Sequence, residues 1–175
     1  DGPREEPDGD PEGLKALDLR GGALGAPRVG EGVETAIAAV AHKAGALLAI
    51  DNTWASPLYF KPFAHGADIS IQAGTKYIVG HADAMLGAIT VVEALAQRLV
   101  AEAGGVGICA RTEGMFLGLR GFRTLDVRLD RHWRSGVEIA RWLEGRPEVA
   151  RVLHPALPSH PQHELWRRDF LGASG

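Results

Sequence analysis

The chain has almost no cysteine, no long apolar run and no excess of positive charge, and each shortage excludes something. Cys109 is its only cysteine, so an internal disulfide and any zinc site built from several thiolates are ruled out. No apolar run approaches the roughly 20 residues that a membrane-spanning helix needs, and no membrane partner is expected. The N-terminus is acidic, with no basic stretch leading into an apolar one. No secretory leader is therefore expected, and the cytoplasm is the expected compartment. A formal net charge of −3 gives no electrostatic case for nucleic acid or an anionic membrane surface. Glycine-rich phosphate loops are missing too. Gly30-Glu31-Gly32 and Gly104-Gly105-Val106-Gly107 do not complete a strand, glycine turn and helix. The segment after Ile50, Asp51-Asn52-Thr53-Trp54, has no glycine at all.

What is present has the balance of a soluble globular protein: 175 residues, 45% hydrophobic and 23% charged. Residues 1–32 are crowded with Gly, Pro and acidic side chains. They bury too little to offset their ordering entropy, so disorder is expected there; an acidic docking tail is the alternative. From Val33 the pattern changes. Val33, Ile37, Val40 and Ala44 lie at helical spacing with Gly45 as the stop. Ala46 to Ile50 is a continuous apolar run, as in a buried parallel strand, and it closes on Asp51. A loop with Pro57 and Pro62 leads to a second short strand, Asp68 to Gln72, and a third is expected over Ala84 to Thr90. Further on, a helix is expected over Val92 to Ala103, ended by Gly104-Gly105. A long helical region follows from Thr112 to Leu143, with Gly118, Gly121 and Gly136 as candidate kinks. A last strand is expected over Val149 to Leu153. Alternating helix and strand implies an α/β layer architecture, in which ligands sit beyond the carboxyl ends of the strands.

Asp51 and Lys76 both fall at or just after such ends. Together they are what pyridoxal 5'-phosphate (PLP) demands: an amine for a Schiff base, and a carboxylate that keeps the ring nitrogen protonated. Each also has a plain reading, Lys76 as a solvated surface cation and Asp51 as the cap of a turn. Other candidates are weaker. His160 and His163, with Glu164 beside them, lie in a proline-rich loop and have no further well-spaced metal ligand nearby. His81 and Asp83 are spaced to pair with each other. Trp54 suits either a cleft wall or the core.

At these residues the chain resembles the cystathionine β-lyase branch of the Cys/Met-metabolism PLP-dependent enzymes. The resemblance rests on Asp51-Asn52-Thr53-Trp54-Ala55, on Thr75-Lys76-Tyr77, and on Gly80-His81-Ala82-Asp83-Ala84-Met85. Leu119-Arg120-Gly121-Phe122-Arg123-Thr124-Leu125, Pro147 through Pro158, and Trp166-Arg167-Arg168-Asp169-Phe170 extend it, so that it covers Val33 to Gly175. Trp54 favours the β-lyase branch over the related γ-synthases and γ-lyases. The resemblance implies an α/β chain: part of an aspartate aminotransferase-like large domain over 33–147, then the start of a C-terminal domain over 148–175.

The same resemblance implies roles. Lys76 would bond to PLP and shuttle protons, Asp51 would pair with the ring nitrogen, and Thr75 would contribute to the phosphate site. Ala73 stands where many relatives have a phosphate-binding serine. The implied reaction is β-elimination of an amino-acid substrate, L-cystathionine, to homocysteine, pyruvate and ammonia, in a homotetrameric enzyme. The family's phosphate loop, ring-stacking tyrosine and carboxylate-binding arginine have no match here. The chain is therefore expected to be the middle of such an enzyme. The alternative to a working lyase is a catalytically inactive piece with, at most, an interaction or regulatory role.

Overall fold

The computed structural model describes residues 33–172; the expected disorder over 1–32 lies outside them. Helix α1 (Val33–Lys43) follows the helical spacing of its apolar residues. Its end is set by Gly45, whose φ of 70° is cheap only without a Cβ. There the N–H of Gly45 meets the His42 carbonyl and that of Ala46 the Ala41 carbonyl, the pairing that closes a helix through a left-handed glycine.

Strand β1 (Ala49–Asp51) is shorter than the apolar run that announces it. It pairs in parallel with β2 (Ile69–Gln72), Asp51 standing opposite Ile71. Between them lie a short helix, α2 (Ser56–Tyr59), and a 3₁₀ turn over Pro62–His65, each with a proline in its first turn, where no N–H is needed. Strand β3 (Ala88–Val91) pairs antiparallel with β2, giving the order β1-β2-β3. It starts four residues later than expected from Ala84, because Leu86 bonds back to Thr75 and not to β2. The expectation of fully buried strands is also corrected. Ile71 and Ile89 are exposed and share the face that carries Asp51.

Helix α3 (Glu93–Gly105) runs through Gly104-Gly105. It stops instead at Gly107, with a φ of 72°. The expected helical region beyond is two helices, α4 (Thr112–Phe122) and α5 (Leu125–Glu144). The break lies at Arg123-Thr124, not at a glycine; Gly118 and Gly136 sit inside helices. No strand forms over Val149–Leu153, since no neighbour among the described residues offers it a ladder. The chain passes through turns to α6 (His163–Asp169).

Phe60, Val79, Leu129 and Leu157 are fully buried. Phe60 stacks between His65, at 4.8 Å, and Phe170, at 4.7 Å, so the chain after α6 returns to the β1–β2 connection. The N–H of Leu171 completes that return on the Tyr59 carbonyl. Helix α4 keeps Met115, Phe116, Leu119 and Phe122 exposed, and buries Gly114, Gly118 and Gly121 on its other side. Among the described residues no helix is long and apolar enough to cross a membrane.

Candidate active site

The turn that ends β1 is braced by its own polar side chains. Asp51 Oδ1 accepts hydrogen bonds from the Thr53 N–H, at 2.9 Å, and from the Thr53 hydroxyl. Asn52 Nδ2 donates to the Phe60 carbonyl at 3.2 Å, and Ser56 Oγ accepts the Leu58 N–H at 3.1 Å. Asn52, Thr53 and Ser56 are buried, and these bonds satisfy groups that would otherwise be costly inside. The two Thr53 bonds hold the Asp51 carboxyl below the usual carboxylate range against desolvation, with a smaller contribution from the Lys76 charge. Oδ2 of Asp51 accepts no hydrogen bond among the described residues.

Lys76 lies in the tight turn that leaves β2. Its N–H bonds the Ala73 carbonyl, and its own carbonyl accepts the Gly80 N–H, both at 2.9 Å. The residue is exposed, and no described residue hydrogen-bonds its amine. The neighbours are tied down. Thr75 Oγ1 accepts the Leu86 N–H at 2.8 Å and donates to the Leu86 carbonyl at 3.2 Å. Tyr77 turns inward, edge-on to His132 of α5 at 5.7 Å, and burial pushes its phenol pKa up. Asp51 and Lys76 thus stand at the carboxyl ends of adjacent parallel strands, close enough for their charges to interact.

The turn is held from behind by contacts that the sequence did not announce. A Cβ on Gly121 would lie 2.2 Å from the carbonyl oxygens of both Ile78 and Val79, and one on Gly118 would lie 2.6 Å from Leu86 Cδ2. These glycines are sites of close approach, Gly121 to the Lys76 turn and Gly118 to Leu86, and not kinks. Arg128 closes the same corner, with Nη2 donating to the Gly121 carbonyl at 2.7 Å and Nε to Thr124 Oγ1 at 3.1 Å. Its guanidinium packs on Gly80, whose φ is 73°.

The remaining candidates fall elsewhere. Asp83 pairs with Arg120 of α4, which draws its pKa down. His81 instead sits 2.8 Å from the Val79 carbonyl, so it makes no hydrogen bond to Asp83, on which it acts only as a minor charge. His163 Nδ1 lies 2.9 Å from the Pro155 carbonyl, and His160 Nδ1 accepts the Gln162 N–H at 3.1 Å. Among the described residues no three His, Cys, Asp or Glu side chains gather as a metal site. Trp54 is half in, half out, edge-on to His154 at 6.5 Å and to Phe170 at 6.1 Å.

The donor set suits the ring end of PLP: a carboxylate whose Oδ2 accepts no hydrogen bond from the described residues, beside an amine that none of them hydrogen-bonds. The phosphate end is less furnished, since Thr75 directs its hydroxyl at Leu86. The match to known proteins agrees with that chemistry. A protein of Rhizobium johnstonii that carries a provisional cystathionine beta-lyase name is 55% identical over 140 residues, which is 80% of this chain and 35% of that protein. An L-alanine/L-glutamate racemase of Wolbachia pipientis wMel is 44% identical over 71% of this chain and 31% of its own length. Among solved structures, the apo form of a methionine gamma lyase from Micromonospora echinospora superposes with a TM-score of 0.77 at 33% identity. That match covers 81% of this chain and 39% of the lyase. The chain thus spans about a third of the length of the curated relatives it matches. The sequence model of one family matches residues 33–175, and with this carboxylate and amine at the strand ends the chain belongs to it: the Cys/Met metabolism PLP-dependent enzymes.

Proposed function

We propose that the chain carries part of the active site of a PLP-dependent carbon–sulfur lyase that cleaves L-cystathionine by β-elimination. The observation that carries this reading is the Asp51 carboxylate beside the Lys76 amine at neighbouring strand ends, with neither Oδ2 nor the amine hydrogen-bonded by any described residue. When bound, PLP supplies an electron sink for the negative charge that develops at the substrate Cα. Lys76 would hold the cofactor through its amine, and the same amine would take the Cα proton. Asp51, its pKa held low by Thr53, would stay ionised and favour a proton on the ring nitrogen. Thr75 has one hydroxyl proton to offer a phosphate oxygen, the one held at 3.2 Å by the Leu86 carbonyl. Loss of the thiolate from Cβ, followed by hydrolysis, gives homocysteine, pyruvate and ammonia. A cytoplasmic homotetramer, with a domain boundary near residues 147–148, belongs to the same proposal.

Relatives named as γ-lyase and racemase make the product the decisive measurement. A protein that carries this segment, given PLP and L-cystathionine, is expected to release pyruvate and homocysteine. Cysteine with 2-oxobutyrate would mean γ-elimination, and D-alanine from L-alanine would mean racemisation; either outcome overturns the β-lyase reading. A second reading is favoured by one observation: among the described residues Thr75 is the one expected phosphate contact, and its hydroxyl is engaged by Leu86. In that reading the isolated chain is inert. A chain that shows neither a PLP absorbance band nor pyruvate release would support it.

A further inference from the structure

We propose that Thr53 is a positioning residue for Asp51: its buried hydroxyl orients the carboxylate and registers it against the turn that carries Lys76. The inference rests on the reading of Asp51 as the partner of a PLP ring nitrogen. Thr53 Oγ1 donates to Asp51 Oδ1 and accepts the Ala73 N–H at 2.8 Å. One atom therefore links the end of β1 to the first residue after β2, three positions before Lys76. The Thr53 N–H gives the same oxygen a second bond. With Oδ1 held from two directions, rotation about the Asp51 side chain is restricted and Oδ2 is left to face outward. Thr53 is only 7% exposed, so water does not readily replace either bond, and a charge-assisted hydrogen bond is among the stronger kinds.

The charged group that faces Asp51 among the described residues is Lys76, from the turn after β2. Its influence on the carboxylate would remain if the Thr53 hydroxyl were removed. That separates the two causes. Thr53→Val keeps the shape and deletes the hydroxyl; Thr53→Ser keeps the hydroxyl and deletes a methyl.

The test reads Asp51 directly, without cofactor. In the apo chain, ¹³C-carboxyl NMR is expected to show Asp51 titrating below the ordinary aspartate range. In Thr53→Val its midpoint moves up toward that range, and in Thr53→Ser it stays low. An Asp51 midpoint that is the same in Thr53→Val and in the parent overturns the proposal. Should the valine variant fail to fold, the parent chain still decides. A Thr53 hydroxyl proton protected from exchange, with a cross-relaxation peak to the Ala73 amide proton, is expected; a freely exchanging one overturns the proposal. Added PLP gives the second readout, with affinity for Thr53→Val down about tenfold, the order of one lost bond to a charged group, and restored in Thr53→Ser. If the parent chain takes up no PLP, the functional reading fails, while the Asp51 midpoints still judge Thr53.

Discussion

Replacing Lys76 with alanine is expected to abolish the absorbance band of lysine-bound PLP and to reduce pyruvate release by about 10³-fold or more. The size follows from two losses at one atom. In the proposed reading the covalent hold on the cofactor disappears, and so does the group that would move the Cα proton, a contribution typically worth 10²- to 10⁴-fold by itself. The effect can be read as chemistry because Lys76 carries so little structure. Its side chain is exposed and nothing among the described residues hydrogen-bonds its amine. The turn around it is held by backbone bonds, from the Lys76 N–H to the Ala73 carbonyl and from the Val79 N–H to the Gly74 carbonyl, and alanine keeps both. Stability should therefore change by no more than about 0.5 kcal/mol, as for surface substitutions generally. Lys76→Arg is the matching control, since it keeps the positive charge near Asp51 but lacks a free amine for the Schiff base. A band that survives in the alanine variant would show that another amine holds the cofactor, and the assignment of Lys76 would fall.

The parts of this site that are legible in the sequence are those where one residue announces itself locally. Asp51 ends an apolar run and Lys76 follows a short strand, and the parallel pairing of β1 with β2 brings the two ends side by side. What is illegible depends on partners far along the chain. The Thr53 hydroxyl finds the Ala73 N–H twenty residues on, and nothing in Asp51-Asn52-Thr53 marks that. The Val149 to Leu153 stretch has the composition of a strand, but a strand needs an edge to pair with, which no local pattern supplies. Met115, Leu119 and Phe122 share one side of a helical pattern, the arrangement that ordinarily marks a core-facing stripe. Helix α4 does the reverse, packing its glycines and leaving that stripe uncovered. Glycine in a helix reads by propensity as a weakness, so the face that packs most closely looked like the flaw.

That reversal makes a graded prediction, and its largest member is Gly121→Ala. In an open helix, glycine to alanine stabilises by up to about 1 kcal/mol. Gly136, inside α5, is such a site, because the nearest atom to an added Cβ is His154 Nε2 at 3.9 Å, an ordinary contact. Gly136→Ala should raise the melting temperature. At Gly118 the added methyl would meet Leu86 Cδ2 at 2.6 Å. That atom is the tip of a side chain that can turn away, so the gain and the clash should nearly cancel. At Gly121 the obstacles are two carbonyl oxygens, of Ile78 and Val79, both 2.2 Å away. Neither oxygen can rotate clear, and Val79 beside them is fully buried. Either α4 backs off or the turn from Lys76 to Gly80 moves, and overpacking of this kind costs about 1–3 kcal/mol and sometimes more. Set against a typical domain stability of about 5–15 kcal/mol, the upper end is a large share of the total. Thermal unfolding of the three variants should therefore rank Gly136→Ala above the parent, Gly118→Ala near it, and Gly121→Ala well below. In the folded fraction of Gly121→Ala, PLP uptake should also weaken, because the turn that presents Lys76 has been displaced. A Gly121→Ala chain as stable as Gly136→Ala would mean that α4 and the Lys76 turn do not approach so closely, and that the site is held by something else.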